Sequence, residues 1–273
     1  MTARLFEPDS AMWRLNRERF VLLGGSAAAI LQAAHPTVAL GVAAHSRFRD
    51  DVFGRLHRTL DAVYAVAFGT GADVAATTSL VGAIHARVRG DTPRPYSAFD
   101  PDAQIWVLAT LVMTTVEMHR RVGRPPPAEE LERFYADMRL FGRCFGLDPA
   151  VGPQTWAAFT GYYEEMLAGP LLGSHPSCAE VARAIALPER PLVARLLGPM
   201  IMPLACDYVP EPVRSRLGLP WRPWHRRATR VIERCVGLGL PVAPAAIRFA
   251  PAYRRARRAR SRARLRDRPN RSR

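Results

Sequence analysis

The 273-residue chain contains no lysine, so all 39 of its basic side chains are arginines. Alongside abundant Ala, Gly and Pro, this absence points to a GC-rich coding bias before it points to a function. Cysteine is scarce. Cys144, Cys178, Cys206 and Cys235 lie 28 to 34 residues apart without a C-x-x-C pair. That spacing excludes a zinc ribbon and a disulfide framework, and four buried, reduced thiols are expected. Runs of alternating polarity are missing, which excludes a sheet-based fold. A signal peptide is not legible either, because MTARLFEPDSAMWRLNRERF lacks the basic start, apolar run and small-residue cleavage site; the expected location is cytoplasmic. No formal charge occurs between Val21 and Ser46. This run has the length of a membrane span, but Gly24, Gly25, Gln32, His35 and Pro36 interrupt it, and it reads as a buried core segment. Acidic residues are few, 24 against 39 basic, giving a net charge of +15. The charge is uneven. The last 21 residues hold eleven arginines and one acid, Asp267, and so two thirds of the net charge. A polycationic, nucleic-acid-binding body is therefore excluded.

What is present is the composition of a packed globular protein, 48% apolar and 23% charged. Helical periodicity predicts an all-α fold: one helix over 11–34 stopped near Pro36, a short helix over 37–45, and helices over 51–69, 72–89, 101–122, 127–145 and 154–168. Residues 93–101 read as a loop. Eleven of the 24 prolines lie between Pro188 and Pro251, which predicts short, broken helices there. The chain thus divides into one multi-helix, bundle-like domain over residues 1–250 and a disordered, arginine-rich tail over 251–273.

Three groups of polar residues carry candidate chemistry. In SLVGAIHARVRG, His85 is flanked by Gly82, Ala83 and Ala86, leaving room for a broad, flat object to approach the helix. Arg89, at i+4, would share its face and pair with an anionic group on that object. Those features suit a haem with an axial histidine and a cation for a propionate; spacing alone favours the alternative, a buried histidine bonded to a backbone carbonyl, with Arg89 capping the helix. In GRLHRTLDAVYAVAFGT, Arg55, Arg58 and Thr59 share one helix face, either to polarise a bound oxygen species or carboxylate or as a solvated basic face in which Asp51 pairs with Arg55. In LQAAHPTVALGVAAHSRF, Gln32, His35 and His45 sit in an uncharged segment. Buried histidines must be hydrogen-bonded or ligating, and the separation of this pair matches no helix-borne metal motif.

Taken together, QAAHPTVALGVAAHSRF, RLHRTLDAVYAVAFGT, AIHARVRG and the tryptophan helix AQIWVLATLV resemble the MpaB-type oxygenases, which share a catalytic domain with the rubber oxygenases (latex clearing proteins). The resemblance runs from about Phe20 to Leu172 and more weakly to about Leu219. It implies an all-α bundle enclosing a pocket for haem b, with iron held by His85, contacts near Arg89, Gly82 and Ala86 and in the His35 and His45 segment, and a catalytic set at Arg55, Arg58 and Thr59. It further implies an oxidoreductase that binds dioxygen opposite the axial histidine and acts on an apolar, isoprenoid-like small molecule. Three departures stand out. Arg58 replaces the distal lysine of the rubber enzymes, and a guanidinium stays charged and cannot ligate iron. No Asp or Glu lies between Val21 and Arg49 to serve as the upstream base. Leu108 stands in the tryptophan helix where many relatives carry histidine. These departures keep open a non-catalytic haem- or lipophile-binding role. A third reading attaches the protein to anionic lipid, at the inner membrane surface, or to nucleic acid through residues 253–273; Tyr253 is the one aromatic there, which disfavours nucleic acid.

Overall fold

The computed structural model describes residues 4–46, 52–187 and 202–266. The expectations for residues 188–201 and for the last arginines, 267–273, lie outside the described residues. The fold is all-α. Its elements are α1 (Ala11–Asn16), a 3-10 turn (Arg19–Gly24), α2 (Gly25–Ala34), α3 (Pro36–His45), α4 (Val52–Phe68), α5 (Gly71–His85), β1 (Arg89–Gly90), β2 (Tyr96–Ser97), α6 (Pro101–Arg121), α7 (Ala128–Cys144), α8 (Trp156–Ala168) and α9 (Pro176–Ala186). They continue with α10 (202–207 of the described residues), α11 (Glu211–Arg216), α12 (Pro223–Gly239), α13 (Ala245–Arg248) and α14 (Pro251–Arg266).

α6 is the axis of the core. Pro101 opens it at the first turn, where its missing N–H costs nothing, and the Asp100 carboxylate caps it by accepting from the Ala103 N–H at 3.1 Å. Trp106, Ala109, Val112 and Val116 then follow at helical spacing and are fully buried. The Trp106 indole donates to the Leu31 carbonyl of α2 at 2.6 Å and stacks on Tyr163 of α8. Each such large side chain contributes about 1.5–3 kcal/mol on burial. α2 and α3 also pack on α9, and α1 packs on α7, where the Asp137 carboxylate accepts from the Met12 N–H at 2.8 Å.

The single helix expected over 11–34 is in fact three pieces. After Arg17 the chain extends at Glu18, which forms a β-bridge with Phe249. The buried Glu18 carboxylate accepts two hydrogen bonds from Arg248, at 2.8 and 2.9 Å. A distant segment therefore breaks the helix. The restart at Gly24–Gly25 is forced by close packing on α6, since a Cβ at Gly24 would lie 2.5 Å from Thr114 Cγ2.

Two further expectations are corrected. Residues 251–266 are not disordered but form α14, and Tyr253 and Ala256 enter the core. Tyr253 packs edge-on against Trp13 and Phe68, with centroids 5.6 and 5.7 Å away. The proline-rich region is not uniformly broken: α12 runs for 17 residues because Pro223 stands at its start. Among the thiols, Cys178 and Cys206 are buried as expected, Cys144 is partly so and Cys235 is exposed; all four are free.

Candidate functional site

α5 begins with a capping box. The Thr70 N–H donates to Asp73 at 2.7 Å and the Asp73 N–H to the Thr70 hydroxyl at 3.3 Å. The Thr70 N–H and the Thr70 hydroxyl, both donating to the Asp73 carboxylate at 2.7 Å, hold that carboxyl below its usual range. The apolar residues of GADVAATTSLVGAIH are spread around the helix rather than gathered on one face, none of its residues is fully buried, and Leu80 and Ile84 are exposed. It packs on α4 through the Gly69–Thr70 connection.

His85 is the last residue of α5. Its ring is partly buried, its Nδ1 is buried without a hydrogen-bond partner, and burial holds its pKa below the ordinary value. The ring is thus kept neutral, which is the metal-coordinating form of imidazole. The backbone-carbonyl bond of the structural alternative is not made at Nδ1. One turn earlier, a Cβ on Gly82 would meet nothing within 4 Å, so the space beside the histidine is open. Ala86 is exposed. Phe99 closes one side, edge-on to the imidazole with centroids 6.0 Å apart.

Arg89 is not on the His85 face as its spacing implied. The helix ends first, with Ala86 as its cap, and Arg89 lies exposed in β1, paired with Ser97 of β2. There it lines an open cleft of about 660 Å³ together with Tyr96, Phe99, Asp100 and Asp102. On α4, Arg58 and Thr59 are exposed, and beside them His57 pairs with Asp61 at 3.4 Å. The Arg55 side chain lies outside the described residues.

The two histidines around α3 part company. His35 is 3% exposed, with neither ring nitrogen hydrogen-bonded. Its pKa is lowered chiefly by burial, against the opposing pull of Asp100. His45 is exposed, with Nε2 3.2 Å from the Tyr96 hydroxyl. Around this end of the fold the ribbon and its flanks add residues that spacing did not reveal: Arg94 donates to the Thr37 hydroxyl at 3.3 Å, Tyr96 faces His45 and Phe99 faces His85. Their signal was the loop PRPYSAFDP, which carries two aromatics yet no periodicity. Leu108 is buried and packs near Gly142 and Leu147, where α6 meets the end of α7.

Among the described residues no group of three or more His, Cys, Asp or Glu side chains is arranged to hold a metal ion. A metal carried within its own macrocycle needs only one histidine from the protein. His85, with an orphaned ring nitrogen and open space one turn away, fits that role.

No solved structure matches the chain. Uncharacterized protein Rv2237 of Mycobacterium tuberculosis and uncharacterized protein Mb2261 of Mycobacterium bovis are each 30% identical to it over 146 residues, covering 51% of this chain and 57% of the relative. The chain thus spans little more than half the length of the curated relatives it matches. Residues 12–238 match the family described as ER-bound oxygenase mpaB/B'/Rubber oxygenase, catalytic domain. All four motifs of the sequence and the open end of α5 lie within that span, and the chain belongs to the mpaB and rubber oxygenase catalytic-domain family.

Proposed function

We propose that this chain is a haem b-dependent oxygenase acting on an apolar, isoprenoid-like small molecule, with His85 as the axial ligand. The observation that carries the reading is the buried, unpartnered Nδ1 of His85 at the end of α5, with open space beside Gly82 one turn earlier. Family membership supports oxygenase chemistry. Bound haem would supply dioxygen activation, which side chains cannot provide. The chain's own share is to hold and orient. His85 presents a neutral imidazole; Gly82 and Ala86 leave its approach unobstructed; Arg89, on the neighbouring ribbon, offers a cation for a carboxylate at the rim. The set of Arg55, Arg58 and Thr59 that the resemblance implies would supply hydrogen-bond donors from α4, where Arg58 and Thr59 are exposed.

The test is spectroscopic. Purified protein titrated with haemin is expected to show a Soret band with one strong nitrogen ligand, and His85→Ala should abolish it. Protein that takes up no haemin overturns the reading. A resting spectrum with two strong nitrogen ligands overturns the role given to Arg58.

A second reading, binding without turnover, is favoured by one observation: Leu108, where the family resemblance implies a histidine, is packed into the core. Dioxygen consumption with candidate alkenes separates the two. The exposed arginines of α14 are a proposed contact for an anionic membrane surface, and a cytoplasmic location at the inner face of the membrane belongs to the same proposal.

A further inference from the structure

We propose that α12 and the turn after it form a docking surface for an anionic lipid bilayer, a surface separate from α14 and independent of the haem reading. α12 buries His225 and Thr229, and Val236 packs with Phe20, Met118 and Val122. On its solvent side Trp224, Val231 and Leu238 recur every seven residues and so lie along one stripe. They are 46, 62 and 72% exposed, and the apolar exposure continues through Val242 (83%) and Ile247 of α13 (65%). Residues 235–247 carry no formal charge. Beside the stripe stand Arg227, Arg230 and Arg234, exposed and without an acidic partner among the described residues. Neighbouring arginines are matched: Arg121 with Glu233, Arg226 with Asp207 and Arg248 with Glu18.

Large apolar side chains left in water in one contiguous strip mark an interaction surface. Unmatched guanidiniums along its edge identify the partner as anionic. This is the make-up of a helix lying in the headgroup plane, with apolar side chains in the acyl boundary and arginines at the phosphates. Trp224, at one end, has the amphipathic ring favoured at that depth. A second copy of the chain is a poor occupant, because the face would set its own arginines against one another.

Flotation of the full chain with phosphatidylcholine vesicles, with and without an equal share of phosphatidylglycerol, tests the proposal. Binding is expected only with phosphatidylglycerol at low salt. The variant Val231→Glu/Leu238→Glu/Val242→Glu should weaken it by about tenfold or more, and Arg227→Gln/Arg230→Gln/Arg234→Gln should flatten its salt dependence. All six positions are exposed, and an unchanged circular dichroism melt confirms that each variant folds. Three results overturn the proposal. The native chain fails to float with phosphatidylglycerol; the glutamate variant floats as well as the native chain while Arg255→Gln/Arg257→Gln/Arg258→Gln/Arg262→Gln on α14 does not; or the native chain is a dimer that the glutamate variant converts to monomer without vesicle binding.

Discussion

Gly24 and His35 show how much of this protein is decided at single positions. At Gly24 the approach of α6 leaves no room for a Cβ, so Gly24→Ala must push Thr114 aside. The expected cost is about 1–3 kcal/mol of overpacking, read from the urea midpoint. His35 presents the reverse case. Two buried ring nitrogens without partners carry a desolvation penalty that no hydrogen bond offsets. His35→Leu removes the penalty and keeps the residue apolar, and should raise stability by about 1 kcal/mol. A loss on that substitution would show that the imidazole is held by a group that binds it. His85 shares the orphaned nitrogen but not the enclosure, and that difference in openness makes it the ligand candidate. From sequence, His85 stands apart by its small neighbours, while His35 and His45 are marked only by an uncharged segment; which histidine is sealed, which is open and which reaches a tyrosine depends on the ribbon packed against α3, and no local pattern encodes that.

Elements whose ends are set by local chemistry were legible. The Thr70–Asp73 box, Pro101 and Gly69 each fix a boundary through neighbours within four residues, and the helices they delimit fall within a few residues of the periodicity. The break after Arg17 and the order of α14 were not legible. Both depend on contacts between residues more than 200 positions apart, Glu18 with Phe249 and Trp13 with Tyr253. An arginine-rich composition reads as solvated because the two residues that dock α14, Tyr253 and Ala256, are a small minority of it. The consequence is testable. Tyr253→Ala should cost about 3 kcal/mol, in the range for an aromatic removed from a core. Replacing Arg255, Arg257, Arg258 and Arg262 with glutamine should change stability by less than about 0.5 kcal/mol. Equal effects from the two changes would mean that α14 is not held by its aromatic residue. Truncation at residue 252 is therefore a poor way to ask what the arginines do, because it also removes a piece of the core.

At the scale of the molecule, burial of neutral histidines ties stability to pH. His35, His85 and His119 all have pKa values held below 6.5, with burial the largest cause. On unfolding each regains its ordinary basicity, so near and below pH 6.5 the unfolded chain binds more protons than the folded one. Stability is complete above that pH and falls as the pH drops through it, by up to about 1.4 kcal/mol per pH unit for each histidine. Asp137 acts in the opposite sense, since burial raises its pKa above 3.8 and the folded chain keeps its proton longer; its contribution is lost as pH rises through the folded pKa. Thermal melts between pH 7.5 and 5.5 should show a declining midpoint, with a shallower slope for His35→Leu; a flat profile would contradict the buried, neutral state of these rings. The crossing of Glu18 with Phe249 also sets an order of events during synthesis. Trp13 and Phe68 are made early, but the aromatic group that completes their cluster is residue 253. Until that residue leaves the ribosome, the first helix has an open apolar flank, and the nascent chain must stay soluble with its earliest core unfinished.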